Sequence, residues 1–232
     1  MPAMPARIRP EPIPPEATGP AGNPARARIL DAATGEFAAH GYDGARIDAI
    51  ARRAGVNKAL LYYYFPNKTE LYRRLVLEHL LAAAAALEAA GTPDAPPAEN
   101  VERMILALFE ILSARPEISD FVMREVLNGW GHLADEDFSI VYRVAQPISG
   151  AVARGVKAGQ FRDVPPLFVH LLVMASLNFF MISRAGRARG ARLVGNPMID
   201  PSPREFARFV ADLVTRGLAA PPAAPASQGE TG

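Results

Sequence analysis

The sequence predicts an all-α protein, and three observations carry that prediction. Between about residues 23 and 219, apolar residues recur at three- and four-residue intervals, the period of one helix face. No stretch alternates as a half-buried strand would. Most interior prolines (Pro93, Pro96-Pro97, Pro116, Pro165-Pro166, Pro197, Pro201, Pro203) stand at seams between the periodic segments. Their fixed φ and missing N–H suit a helix start or stop rather than a helix interior.

Taken in order, the first helix opens with Asn23 as N-cap and Pro24 at the first helical position. It buries Ile29, Leu30, Ala33 and Phe37, and Gly41 is its left-handed stop. A second, short helix spans Ile47 to Ala54 and turns at Gly55-Val56-Asn57. A third runs from Lys58 to Tyr64 and ends before Phe65-Pro66, because proline disfavours a helical residue before it. Asn67, with Glu70 three residues on, caps a long fourth helix that carries Leu71, Leu75, Val76 and Leu80 to a stop at Gly91. Further helices are expected at 99–114, 117–130, 134–158 (kinked at Pro147), 166–186 and 203–219. The stretch 187–202 has no periodicity and reads as a long loop.

Composition excludes several functions. The chain has 232 residues and no cysteine, so disulfides, thiolate metal sites and a thiol nucleophile are ruled out. A net charge of +1 excludes binding of nucleic acid by bulk charge, so any such contact must rest on local charge. Residues 1–22 and 220–232, rich in Pro and Ala, are expected to be disordered tails, and the first has no signal-peptide pattern. The apolar run from Leu167 to Ile182 contains His170 and Asn178 and falls short of the roughly 20 residues of a membrane span. No phosphate loop, dinucleotide fingerprint, nucleophile elbow or metal-ligand spacing is present, so no cofactor, metal or catalytic residue is expected.

The second and third helices, joined through Ala54-Gly55-Val56-Asn57, form a helix-turn-helix pattern. Leu61 and Phe65, four apart, anchor the third helix inwards. Asn57, Lys58, Ala59, Leu60, Tyr62, Tyr63 and Tyr64 are left for its other faces. A lysine reaches phosphate or guanine, apolar tips meet thymine methyls, and phenol hydroxyls bond phosphates.

These residues carry a resemblance. The stretch from Ala25 to Leu75 resembles the DNA-binding domain of the TetR family of bacterial transcriptional regulators. The matching marks are Ile29-Leu30-Asp31-Ala32-Ala33, Phe37 with Gly41-Tyr42, Ile50-Ala51, Ala54-Gly55-Val56, Leu61-Tyr62-Tyr63, Phe65, and Lys68 with Leu71. The resemblance implies a cytoplasmic homodimer that binds double-stranded DNA at a palindromic operator. It implies a repressor, released by a small molecule held in a C-terminal ligand-binding and dimerisation domain, and no enzyme. Carried over by position, Lys58 to Tyr64 is the recognition helix. Lys58, Ala59, Leu60 and Tyr63 face the groove, while Tyr62, Tyr64 and Lys68 contact the DNA backbone. Arg46 stands where the family commonly has a capping Ser or Thr. It keeps a phosphate contact and loses the cap, which Asp48 or Asp43 would then supply. Leu60 replaces a frequent Thr, and Tyr64 a usual His.

The expected boundaries are a tail over 1–22, the helix-turn-helix domain over 23–68, the ligand and dimer domain over 69–219, and a tail over 220–232. Charge follows this division: residues 23–80 carry +3 and residues 81–232 carry −2. In the C-terminal domain, Phe109, Phe121, Met123, Trp130, Met174 and Phe179 are candidate pocket walls. Arg124, Asn128, His132, His170 and Asn178 are polar residues in apolar surroundings, which need partners if buried. His170 and Asn178, eight apart near one helix face, suit either a ligand or a dimer seam. Helices 166–186 and 203–219 are expected to pair with their symmetry mates in a four-helix bundle.

Overall fold

A computed structural model describes residues 23–92 and 94–220, so the expectation of disordered tails at 1–22 and 220–232 lies, apart from Ala220, outside the described residues. Among the described residues, ten α-helices account for most of the length. Helix α1 spans Pro24–Gly44, α2 Ile47–Ala54, α3 Lys58–Tyr64 and α4 Lys68–Ala90. Then follow α5 (Pro97–Ala114), α6 (Pro116–Leu127), α7 (Phe138–Lys157), α8 (Pro166–Ile182), α9 (Arg184–Val194) and α10 (Pro203–Leu218). Single 3-10 turns at Asp135–Asp137 and Pro197–Ile199 precede α7 and α10.

Local chemistry sets the early boundaries. Asn23, Asn57 and Asn67 each cap a helix by accepting a backbone N–H, from Ala25, Leu60 and Glu70 respectively. Gly55 closes α2 at φ 66°, a left-handed conformation that a side chain would strain, and thereby sets the turn into α3. Gly41 has φ 69° and ψ −178°, so α1 kinks there and continues to Gly44 instead of stopping.

Helices α1, α2 and α3 share a small core of Ile29, Ala33, Phe37, Ile50, Ala54, Leu61 and Phe65, all buried. Helix α4 leaves this unit and becomes part of the second, packing on α5 and α7, while α5 packs on α10 and α7 on α8. At 23 residues α4 is about 34 Å long, enough to join both units as one rod.

Several sequence expectations are corrected. The 187–202 segment is not a loop, because α9 occupies 184–194. Helix 166–186 breaks at Ser183, and helix 117–130 ends at Leu127. Residues 128–133 then form turns in which Gly129 and Trp130 both take positive φ, unusual for Trp. Helix α7 starts at Phe138 and runs through Pro147 as one element, with Val144, Ala145, Ile148 and Ala151 buried on either side of the proline.

Candidate nucleic-acid interface

Helix α3 is held from beneath and bare above. Leu61 and Phe65 are fully enclosed, while Tyr62 and Tyr63 are 44 % and 64 % exposed. Asn57, Lys58 and Ala59 are exposed, and Leu60 is half-buried against the core. Tyr64 is the exception to the sequence reading. It is only 7 % exposed and lies edge-on to Tyr63, because three residues after Leu61 it shares Leu61's face. It is a floor residue of the interface rather than part of its outward surface.

Several polar groups around α3 already have protein partners. Lys58 Nζ pairs with the Asp48 carboxylate of α2. Asn57 Oδ1 accepts the Leu60 N–H at 2.7 Å and so caps α3. Lys68 Nζ donates to the Asp43 carbonyl at 3.1 Å and stands 4.8 Å from the centre of the Tyr42 ring. These surface contacts are weak in water and exchangeable for phosphate. Arg46 precedes α2 without a side-chain cap. The cap predicted from Asp48 or Asp43 is absent too: the Arg46 N–H donates to Glu36 Oε1 at 3.1 Å. Arg28 Nε donates to the Ala54 carbonyl at 3.0 Å and fixes the end of α2 to α1.

Behind this surface lies a lock of which the sequence marked only His132, as a polar residue in need of a partner. The ring of His132, in the turn after α6, lies 4.1 Å from that of Tyr42 at the end of α1 and 4.9 Å from that of Tyr72 on α4. Glu125 is fully buried. It accepts the His132 N–H at 2.9 Å and has Oε2 2.8 Å from His132 Nδ1. Burial first, then the Glu125 charge, pushes the Tyr72 hydroxyl well up. Close by, Arg73 on α4 makes two bonds to Asp137, 2.5 and 2.7 Å, with both side chains buried. Glu70 and Glu136 also pair with Arg73. Two acids flanking the 128–134 turn therefore grip the first turns of α4. Arg73 and Asp137 are remote in sequence, so no motif could have announced that pair; Glu125 and His132 are only seven residues apart, and it is their burial against α4 that no local pattern announces.

The ligand candidates do not converge on an open cavity: Met123 is half-buried and Phe179 is exposed. Phe109 and Phe121 are buried in the core, while Arg124 and Asn128 are exposed rather than buried. Trp130 and Met174 are half-buried. Asn178 donates to the Met174 carbonyl of its own helix at 2.9 Å. His170 is buried with Nδ1 unpartnered, and its burial lowers the imidazole pKa. Two surface clefts of about 350 and 380 Å³ are lined by other residues. Among the described residues no cluster of His, Asp and Glu is arranged to hold a metal ion, and no single helix is long and apolar enough to cross a membrane.

Comparison with known proteins now bears on the fold and its exposed helix. Residues 29–75 match the model for bacterial regulatory proteins of the tetR family, and residues 97–214 match the tetracyclin repressor-like C-terminal domain. The chain is 32 % identical over 152 residues to the HTH-type transcriptional regulator RutR of Escherichia coli K12, covering 66 % of this chain and 71 % of that one. It is 34 % identical over 159 residues to the HTH-type transcriptional repressor SCO4008 of Streptomyces coelicolor, covering 65 % and 76 %. Among solved structures, a tetR-family regulatory protein from Rhodococcus RHA1 superposes with a TM-score of 0.70 at 20 % identity, covering 85 % of this chain and 98 % of the other. The chain belongs to the tetR family of bacterial regulatory proteins and is a DNA-binding transcriptional regulator.

Proposed function

We propose that the protein is a cytoplasmic repressor that binds a palindromic operator as a homodimer and leaves it when a small molecule occupies the C-terminal unit. The observation that carries the reading is the bare upper face of α3, with Lys58, Ala59, Tyr62 and Tyr63 outward above a rigid floor of Leu61, Tyr64 and Phe65. A helix so presented enters a major groove. Lys58 exchanges its Asp48 partner for a base or phosphate, and Tyr62, Arg46 and Lys68 hold the backbone.

One α3 reads only one half-site, so two copies are needed for a palindrome. The second copy is drawn to a face that water should not see. Phe168, Leu171, Leu172 and Phe179 on α8, with Phe209 and Leu213 on α10, are all more than half exposed in the single chain. An apolar surface on two adjacent helices marks an interaction site, and a self-complementary four-helix contact covers it. To read both half-sites, such a dimer has to hold its two recognition helices roughly 34–36 Å apart or somewhat more, one turn of DNA.

Release follows if the effector binds one dimer state better than the other, since a ligand shifts an equilibrium only by its differential affinity. The buried His170, lacking a partner at Nδ1, supplies one polar contact for it. The test is selection of DNA fragments by the purified protein, followed by titration of the enriched sequence at several salt concentrations. A steep salt dependence and a two-fold symmetric site are expected. Indifference to sequence would overturn the reading. Melting shifts across a metabolite panel then locate the effector.

A further inference from the structure

A second cleft lies where the DNA-binding unit meets the rest of the molecule. Its volume is about 350 Å³, at the small end of ligand sites. One wall is α1; the other is α4 together with Arg115 at the corner between α5 and α6. Leu30 and Leu75 give it an apolar side. Its charged groups form two ion pairs, each joining α1 to the second unit. Arg26 pairs with Glu78 of α4, and Asp31 pairs with Arg115 at 2.9 Å. Thr34, fully buried, donates its hydroxyl to the Leu30 carbonyl at 2.9 Å. His79 Nε2 lies 3.5 Å from that hydroxyl oxygen, at the limit of a hydrogen bond, and Nδ1 has no partner among the described residues. Nor is Nδ1 sealed from solvent as the unpartnered His170 Nδ1 is. Burial, aided by the Arg115 charge, lowers the His79 pKa to about 4, so the imidazole is neutral and offers both a donor and an acceptor.

We infer that this cleft is a binding site for a small zwitterion of the amino-acid type, separate from any effector site in the C-terminal core. The lining decides the class. It carries two guanidinium groups and two carboxylates that pair with each other across the cleft, and Arg115 also bonds Glu117 at 2.9 Å just outside it, so only Arg26 and Glu78 depend on one another alone. A simple anion that captured Arg26 would strip Glu78 of its partner, and a simple cation that captured Glu78 would strip Arg26. Leaving a charge unpaired in a partly desolvated cleft is costly. A zwitterion presents a carboxylate to the arginine and an ammonium to the glutamate at once, so no protein charge is left alone. Its side chain meets Leu30 and Leu75, and His79 bonds the remaining polar edge.

Because the cleft walls belong to both units, occupancy replaces the Arg26–Glu78 tie with a bridge of different length. Operator affinity and zwitterion affinity are then linked, each changing the other by the same factor. This consequence rests on the operator-binding reading above; the site itself does not.

The test uses the full chain. The common L-amino acids are titrated calorimetrically, with isovalerate and isobutylamine as singly charged counterparts of L-valine. At least one amino acid should bind once per chain and raise the melting temperature. Arg26→Gln and Glu78→Gln, both at half-buried positions whose folding is checked by circular dichroism, should each weaken that binding about tenfold or more. The singly charged compounds should bind no better to the native chain than to the variants. Absence of binding by every amino acid overturns the site, as does binding that neither substitution changes. Zwitterion binding without any operator binding leaves the site standing and sinks the regulatory reading instead.

Discussion

The two ends of the molecule each bury an apolar core and leave opposite surfaces bare. Around α3 the exposed groups are phenols, a lysine and small side chains, set on a unit of charge +3 over residues 23–80. On α8 and α10 the exposed groups are Phe168, Leu171, Leu172, Phe179, Phe209 and Leu213, on a body of charge −2. A phosphate backbone rewards the first surface, since phenols and lysine bond it without burial of much apolar area. Only another apolar surface rewards the second. On the proposed reading, the first surface is fully formed in a single copy, while the second is covered only by a second copy.

That contrast is broken most sharply by putting charge on the apolar face. Leu171→Glu combined with Leu213→Glu leaves each chain's own core untouched, because both side chains point outwards. In the dimer each glutamate would be buried without a partner. The pair should abolish dimers in sedimentation and reduce operator affinity by about a hundredfold or more, as loss of hot-spot contacts does. Monomeric variants with intact operator affinity would show that one α3 suffices.

Next in size is the joint between the two regions. Arg73 is buried with Asp137, and truncation of one partner leaves the other charge stranded. Arg73→Met should cost ~3–5 kcal/mol of stability in denaturant titrations. Replacing both, Arg73→Met with Asp137→Leu, should recover much of that loss. His132→Ala removes the ring wedged against Tyr42 and Tyr72 while keeping the backbone bond to Glu125. It should loosen the DNA-binding unit, read as faster hydrogen exchange at the end of α1, with a smaller loss of global stability.

How far the sequence foretold these regions follows from how local their determinants are. The helix-turn-helix was legible because Asn caps, Gly55 and the Leu61–Phe65 spacing all act within a few residues. Even there, the triple tyrosine misled over Tyr64, although its three-residue spacing from Leu61 places it inward. Helix α9 was missed for a different reason. It buries no residue, so it shows no apolar stripe. It is pinned by Arg184 on Asp120 at 2.6 Å, and by Arg187 over the Phe180 ring at 3.7 Å and beside Asp200 at 3.3 Å. The Glu125–His132 and Arg73–Asp137 contacts were illegible because only the tertiary fold brings their surroundings together. The ligand candidates failed where polarity was taken for burial: Arg124 and Asn128 are simply on the surface.

On the DNA-facing side the expected effects are smaller. Lys68→Ala removes the tie to the Asp43 carbonyl and, on the proposed reading, one phosphate contact. It should weaken binding about equally for all sequences and reduce the slope of log affinity against log salt by about one. Lys58→Ala should instead change the preferred sequence, by about 1–3 kcal/mol at the position it reads. Equal losses on selected and random DNA for Lys58→Ala would make it a phosphate contact like Lys68.

A last measurement tests the junction itself, through pH. The His79 pKa is lowered from its ordinary 6.5 to about 4, by burial first and by Arg115 second, with Glu117 opposing. The unfolded chain therefore binds a proton at a pH where the folded chain does not. Stability from this group is complete above pH 6.5 and is lost as pH falls towards 4, at no more than about 1.4 kcal/mol per pH unit for one proton. His170, also lowered by burial, contributes with the same sign. The native chain and His79→Gln share that contribution and every carboxylate, so their difference isolates His79. Between pH 6.5 and 4 the native chain should lose stability more steeply than His79→Gln, and above pH 7 the two curves should run parallel. Parallel curves throughout would mean that water reaches the imidazole freely. The cleft between the two regions would then be solvent, without a desolvated floor for any ligand.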